Sequence, residues 1–262
     1  MLSAVPQRIV SLSPAATDIL VAEGAHAQIA GATRYCNIPE GDEKRVVRIG
    51  GVLDPDYERI LTLKPDLVVV PWLADKSLLE KLVALGLPVL VLHSEGLQGV
   101  MDDMRMIGAA TGHAVEGEKK TRAIEAIRSL ALSRWKDVPV EKHPWVLIYM
   151  DEESPAPGSY VDDVLMAAGG RNVLPQSSKS WLEVPPERAL QLAPDIIIEI
   201  PSTDQPTNPG ANQFTANSTR IVKLTDGEIF YHPGPDLGRA LWNLARAIDP
   251  ARFPEATPPI SP

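Results

Sequence analysis

Short runs of β-branched and aliphatic residues alternate along this chain with stretches whose apolar positions recur every three to four residues. That alternation predicts an α/β fold. Strands are expected at Arg8–Leu12, Leu67–Val70, Val89–Leu92, Val146–Tyr149, Ile196–Ile200 and Ile221–Leu224. Between them, helices are expected at Ala15–Glu23, Asp75–Leu85, Leu97–Thr111, Val115–Trp135, Tyr160–Ala168 and Asp236–Ile248. The unbroken apolar run Leu67-Val-Val-Val70 suits a strand of a parallel sheet covered on both faces.

The pattern repeats. Asp18-Ile-Leu-Val-Ala-Glu-Gly24 is similar to Asp163-Val-Leu-Met-Ala-Ala-Gly169, and Leu61-Thr-Leu-Lys-Pro-Asp-Leu-Val-Val69 to Leu190-Gln-Leu-Ala-Pro-Asp-Ile-Ile-Ile198, in the same order. In each half one helix ends at Gly and a second ends before Pro-Asp, which launches a buried strand. Glycine is favoured just past a helix end, and proline cannot continue a helix. Two similar α/β lobes with parallel central sheets follow.

Between the repeats lies Val115–Trp135. Ile124, Ile127, Leu130, Ala131 and Trp135 form its apolar stripe, and Glu118, Lys119, Lys120, Arg122, Glu125 and Arg128 its wet side. About 20 residues at roughly 1.5 Å each make a rod of about 30 Å. The organisation expected is an N-terminal lobe over 1–114, an interlobe helix over 115–136, a C-terminal lobe over 137–250 and a frayed Pro-rich tail over 251–262. A rigid helical connector would restrict hinge motion and leave a ligand cleft between the lobes. Pro201–Arg220 departs from the pattern, with few apolar residues where a lobe normally places a helix, and reads as a long functional loop.

Composition then narrows the chemistry. The 262 residues carry 25 Lys+Arg against 34 Asp+Glu, a net charge of −9, which gives no basic footprint for nucleic acid or anionic lipid. No apolar run approaches the roughly 20 residues of a membrane span. The single cysteine, Cys36, excludes an internal disulfide, and His26, His93, His113, His143 and His232 never cluster at metal-ligand spacing. Phosphate loops, metalloprotease helices and nucleophile elbows are missing, so no catalytic residue and no catalytic cofactor is assigned. No signal peptide precedes the first strand, leaving two readings: a cytoplasmic protein, or the mature end of an exported one.

Aromatic residues are few, five Trp, five Tyr and three Phe, so their placement carries weight. Tyr35 and Trp72 follow strand ends, Tyr160 opens a helix after a turn, and Trp181 sits in a Ser/Lys-rich loop. Ligands of open α/β sheets bind beyond the carboxyl ends of the strands. Rings placed there suit a large, flat, partly apolar ligand.

At these residues the chain resembles the helical-backbone metal-complex receptors, the class III solute-binding proteins of ABC importers, and among them the cobalamin-binding proteins. The resemblance runs from about Arg8 to Pro250, through Arg8-Ile-Val-Ser-Leu-Ser-Pro-Ala-Ala-Thr-Asp18, Thr33-Arg-Tyr-Cys-Asn-Ile-Pro39, Leu63-Lys-Pro-Asp-Leu-Val-Val69, Gly169-Gly-Arg-Asn-Val173, Trp181-Leu-Glu-Val-Pro-Pro-Glu187 and His232-Pro-Gly-Pro235. It implies a monomer without catalysis that binds a corrinoid in the interlobe cleft and delivers it to an ABC permease, in the periplasm or at the cell surface. Carried over by position, Tyr35, Trp72 and Trp181 would contact the corrin ring, with Pro14, Ala15, Cys36 and Tyr160 beside them. Glu187 matches a permease-docking Glu of the second lobe; in the first lobe Lys76 stands where its counterpart would fall, with Asp75 and Glu80 adjacent. Haem is the alternative ligand, with Tyr35, Cys36, Tyr160 or His232 as metal donors. A ferric siderophore would call on Arg34, Arg45, Arg48 and Arg171. A cytoplasmic corrinoid handler is a further alternative.

Overall fold

The computed structural model describes residues 4–72, 74–150, 153–201, 219–224 and 227–260. The chain divides into two compact units, Met1–Arg122 and Ala123–Pro262. Of the long loop expected at Pro201–Arg220, residues 202–218 lie outside the described residues.

The first unit contains β1 (Ile9–Ser11), α1 (Pro14–Ala22), β2 (Ile29–Ala32), β3 (Val47–Arg48), α2 (Tyr57–Leu63), β4 (Leu67–Val70), α3 (Lys76–Ala84), β5 (Val89–Val91), α4 (Leu97–Thr111) and the beginning of α5 (Ala114–Trp135). Its sheet is parallel throughout, in the order β3-β2-β1-β4-β5. The second unit holds the remainder of α5, then β6 (Trp145–Tyr149), β7 (Glu153–Pro155), α6 (Tyr160–Ala168), β8 (Arg171–Asn172), β9 (Trp181–Glu183), α7 (Pro186–Gln191), β10 (Ile196–Glu199), β11 (Arg220–Lys223) and α8 (Leu237–Ile248). Its parallel sheet runs β11-β10-β6-β8, and β7 pairs with β9 as an antiparallel ribbon. Both sheets are wound alike. The first strand of the unit is central, the next sheet strand pairs on one side, and a later one crosses to the other.

The repeated sequence segments explain this winding. Lys64 and Ala193 adopt left-handed backbone, at φ 49° and 47°, and end α2 and α7 ahead of Pro65 and Pro194. The aspartate that follows then grips the start of the unit's first strand. Asp66 accepts hydrogen bonds from the backbone N–H of Gln7 (2.9 Å) and Arg8 (2.8 Å), and its own N–H donates to the Arg8 carbonyl at 3.0 Å. Asp195 accepts from the Trp145 N–H at 2.7 Å and donates its N–H to the Trp145 carbonyl at 2.8 Å. These bonds set β4 against β1 with Ile9 opposite Leu67, and β10 against β6 with Val146 opposite Ile196. The other repeated segment forms α1 and α6. Ser13 and Ser159 cap their N-termini, and Gly24 (φ 91°) and Gly169 (φ 95°) follow their ends in left-handed backbone.

On one face of each sheet, alternate strand residues pack with apolar side chains from the flanking segments. In the first unit Val10, Leu12, Ile60, Val68, Val70 and Leu82 pack together; in the second, Leu147, Tyr149, Leu174, Val184, Ala189 and Ile197 do so. No helix among the described residues is long and apolar enough to cross a membrane.

The Pro-rich tail differs from the frayed end expected. Phe253 is fully buried, its ring edge-on to Trp242 with centroids 5.3 Å apart. Arg134, in the last turn of α5, holds both carboxylate oxygens of Glu255 at 2.8 and 2.9 Å, and the Trp242 indole N–H donates to the Glu255 carbonyl at 3.0 Å. One aromatic residue and one carboxylate outweigh the prolines around them.

Glu23, just beyond α1, is 1% exposed, and neither of its carboxyl oxygens has a hydrogen-bond partner among the described residues. Its carboxyl lies against Gly108 of α4 and Gly117 of α5, where a Cβ would stand 3.1 Å from one or the other oxygen. Burial raises its pKa from 4.5 to about 8.

Two expectations follow for stability. Asp66→Ala and Asp195→Ala should each cost about 0.5–1.5 kcal/mol, the net worth of hydrogen bonds that water can replace at an exposed strand start, read from denaturant midpoints. For Glu23 the folded state keeps the proton that the unfolded chain releases near 4.5, so the stability present in acid is lost as pH rises through about 8. The melting temperature of the native protein should therefore fall between about pH 4.5 and about pH 8 and level off above that, while that of Glu23→Gln stays flatter and ends about 5 °C higher at the alkaline end.

Candidate ligand-binding site

In each sheet the connections reverse beside the first strand, and ligands of such folds bind beyond the carboxyl ends of the strands at that point. In the first unit the reversal lies between β1 and β4. Pro14 and Ala15 open α1 directly after β1; Pro14 is half-buried and Ala15 buried. Trp72 is half-buried in the turn after β4, where the Ala74 N–H donates to the Pro71 carbonyl at 3.0 Å. Beneath α1, the Thr17 hydroxyl donates to Ser11 Oγ at 2.9 Å, and the Ser11 hydroxyl donates to the Ser13 carbonyl at 3.0 Å. This buried network makes the first turn of α1 a fixed wall.

Tyr35 follows β2, next to β1 in the sheet, and is 63% exposed. An exposed aromatic ring on a turn is normally mobile, but this turn is braced from several directions. Arg48 Nη1 donates to the carbonyls of Thr33 and Cys36, both at 2.8 Å. The Arg34 N–H donates to the Gly50 carbonyl at 2.8 Å, and the Tyr35 N–H to Thr33 Oγ1 at 3.3 Å. Cys36, 3% exposed, places Sγ 3.1 Å from Thr33 Oγ1. The thiol thus faces the inside of the turn while the phenol faces solvent. Arg34 sits 5.4 Å from the Tyr35 ring centroid and donates through Nη2 to both carboxylate oxygens of Asp54.

In the second unit the ribbon of β7 and β9 extends from the carboxyl end of β6, linked by the Met150–Glu153 bridge. Trp181, opposite Pro155 in this ribbon, is half-buried. Its ring packs edge-to-face with that of Tyr160, with centroids 6.4 Å apart and planes at 67°. Tyr160 is 6% exposed, and its hydroxyl donates to the Phe230 carbonyl. Burial pushes the Tyr160 phenol well above its ordinary range. It is therefore a neutral, anchored backing for Trp181.

The remaining expected residues are dispersed. Glu187 is exposed in the first turn of α7. Asp75 caps α3, accepting from the Leu78 N–H at 2.8 Å, and that bond together with the Ser77 hydroxyl holds its carboxyl below the usual range. Glu80 pairs with Lys76 across one helical turn at 3.4 Å. Arg45 donates to backbone carbonyls of the 26–29 segment, and Arg171 stacks 3.6 Å from the Trp145 ring centroid. No group of three His, Cys, Asp or Glu among the described residues could hold a metal ion. Sequence reading missed Arg48, which braces the turn, and the Arg34–Asp54 pair that stands beside the ring. Its one visible signal is Gly50-Gly51, since a Cβ at Gly50 would come within 2.4 Å of the Asp54 carbonyl.

Two α/β units wound alike, each backing an accessible aromatic ring beyond its strand ends, define a solute-binding fold without catalytic machinery. The chain belongs to the periplasmic binding protein family, which it matches over residues 9–219. A vitamin B12-binding protein of Pectobacterium atrosepticum is 24% identical over 241 residues, covering 89% of this chain and 85% of that protein. Among solved structures, MolA, the molybdate periplasmic binding protein of a Haemophilus influenzae ABC transporter, superposes with a TM-score of 0.81 at 20% identity, covering 98% of this chain and 90% of that one. A periplasmic heme binding protein from Pseudomonas aeruginosa gives a TM-score of 0.75 at 19% identity over 98% of this chain and 96% of that one. The protein is a non-enzymatic substrate-binding component of the ABC-transporter class.

Proposed function

We propose that this protein binds a corrinoid of the cobalamin type and delivers it to an ABC importer, in the periplasm or at the cell surface. The observation that carries the reading is Tyr35, an exposed ring on a turn immobilised by Arg48, with Trp72 after β4, on the other side of β1 in the sheet. Rings that are already fixed contribute contact area without the entropy cost of ordering them on binding. Trp181, braced by Tyr160, supplies a comparable platform in the second unit. Similarity to vitamin B12-binding proteins over most of the chain supports the corrinoid assignment. In this reading Pro14 and Ala15 line the wall, Cys36 and Tyr160 act from behind as supports, and Glu187 with Asp75 and Glu80 meets cations of the permease.

Haem is the second reading, favoured by the solvent-facing phenol of Tyr35, since a tyrosinate is an established axial ligand of haem iron. Calorimetric and absorbance titrations separate the two. A monomer that takes up one equivalent of cyanocobalamin is the expected result; no heat with cyanocobalamin alongside tight hemin binding would replace the corrinoid reading with haem.

Trp181→Ala is expected to weaken corrinoid binding by about 1–3 kcal/mol, the range for truncating a large ring at a binding hot spot. Its melting temperature should stay within about 3 °C of the parent, because the ring is half-buried at the edge of the fold. A large melting shift with a proportionate affinity loss would make Trp181 a packing residue instead.

A further inference from the structure

Three side chains converge on Gly51. A Cβ placed there would stand 2.5 Å from Asp54 Oδ1, 3.0 Å from Arg34 Nη2 and 3.4 Å from Tyr35 Cε2. Only a residue without a side chain lets the guanidinium, the carboxylate and the ring share this spot. The loop that brings Asp54 there is itself pinned. Gly50 and Pro55 form an antiparallel bridge, Gly50 has left-handed backbone at φ 88°, and the Asp56 N–H donates to the Ile49 carbonyl at 2.9 Å. The Arg34 hydrogen bond holds the Asp54 carboxyl below its usual range, so the pair stays ionised. The other cation of the turn, Arg48, donates to the Thr33 and Cys36 carbonyls, which leaves Arg34 as the guanidinium alongside the Tyr35 ring.

We infer that Asp54 is a specificity-determining residue: by matching the charge of Arg34 beside Tyr35, it disfavours anionic ligands and leaves the ring to select for neutral, flat ones. The inference rests on the proposed ligand site at Tyr35 and adds the ground on which a corrinoid is chosen over a porphyrin bearing carboxylates. An uncompensated guanidinium at this spot would attract a ligand carboxylate, whereas a paired one offers little net field. Asp54 need not touch the ligand; it acts through Arg34.

The test compares the native protein, Asp54→Asn, Asp54→Glu and the double variant Arg34→Gln/Asp54→Asn, each titrated with cyanocobalamin and with hemin. Asp54→Asn is expected to bind hemin about three- to tenfold more tightly at low salt, with cyanocobalamin affinity within about twofold of the parent, and the gain should shrink as salt is raised. Asp54→Glu, which keeps the charge, should retain the native preference, and the double variant should lose the gain. An unchanged hemin-to-cobalamin ratio in folded Asp54→Asn would overturn the inference while leaving the corrinoid reading in place. If the native protein binds neither complex, the corrinoid reading falls, and sulfate then tests Asp54 independently. Sulfate should move the Gly51 and Tyr35 amide resonances saturably in Asp54→Asn and not in the native protein; equal responses would overturn the inference.

Discussion

A carboxylate accepting the backbone N–H at the start of a strand is the contact on which each unit depends. Parallel strands have no hairpin to set their register, so the register must come from a distant part of the chain. Asp66 reaches back 58 residues to Arg8, and Asp195 reaches back 50 residues to Trp145. Each does so directly after a left-handed residue and a proline that stop the preceding helix. The short side chain admits one alignment. Once it is made, the strand ends stand in a fixed order, and so do the turns that carry Pro14, Trp72 and Tyr35.

The two units use different means to the same end, an aromatic ring that is accessible and yet held still. Tyr35 is steadied by its own backbone: Arg48 ties the two carbonyls flanking it, and the thiol of Cys36 turns inward. Trp181 is steadied by another ring, because Tyr160 is locked to the Phe230 carbonyl and packs edge-to-face with the indole. The first arrangement relies on charged donors at the surface, the second on burial. The two platforms therefore differ in how salt and temperature should affect them.

Much of this was legible in the residues, and what was not has a physical reason. Leu67–Val70, Leu97–Thr111 and Tyr160–Ala168 occupy the bounds that apolar periodicity predicts, because each is long or apolar enough to show its pattern. Strands β3 and β8 have two residues each and no period to show, and α2 buries only Ile60. The ribbon of β7 and β9 exists only through pairing across the chain. At the site, the rings could be picked out as aromatic punctuation after strands. The inward turn of Cys36 and the burial of Tyr160 could not, since the partner of Tyr160 lies 70 residues away. Arg34 and Asp54 belong to two irregular loops 20 residues apart, where neither propensity nor period links them.

The bond between Arg134 and Glu255 spans 121 residues, and with Phe253 against Trp242 it makes the end of the chain part of the second unit's interior. Synthesis runs from the N-terminus, so the first unit has every residue of its sheet and its register-setting aspartate early. The second must wait. Until residue 255 has been made, Trp242 lacks its facing ring and the last turn of α5 lacks its carboxylate. During that interval the nascent polypeptide holds one finished half and one unfinished half, and a factor that recognises unfolded chains would find its target in the latter.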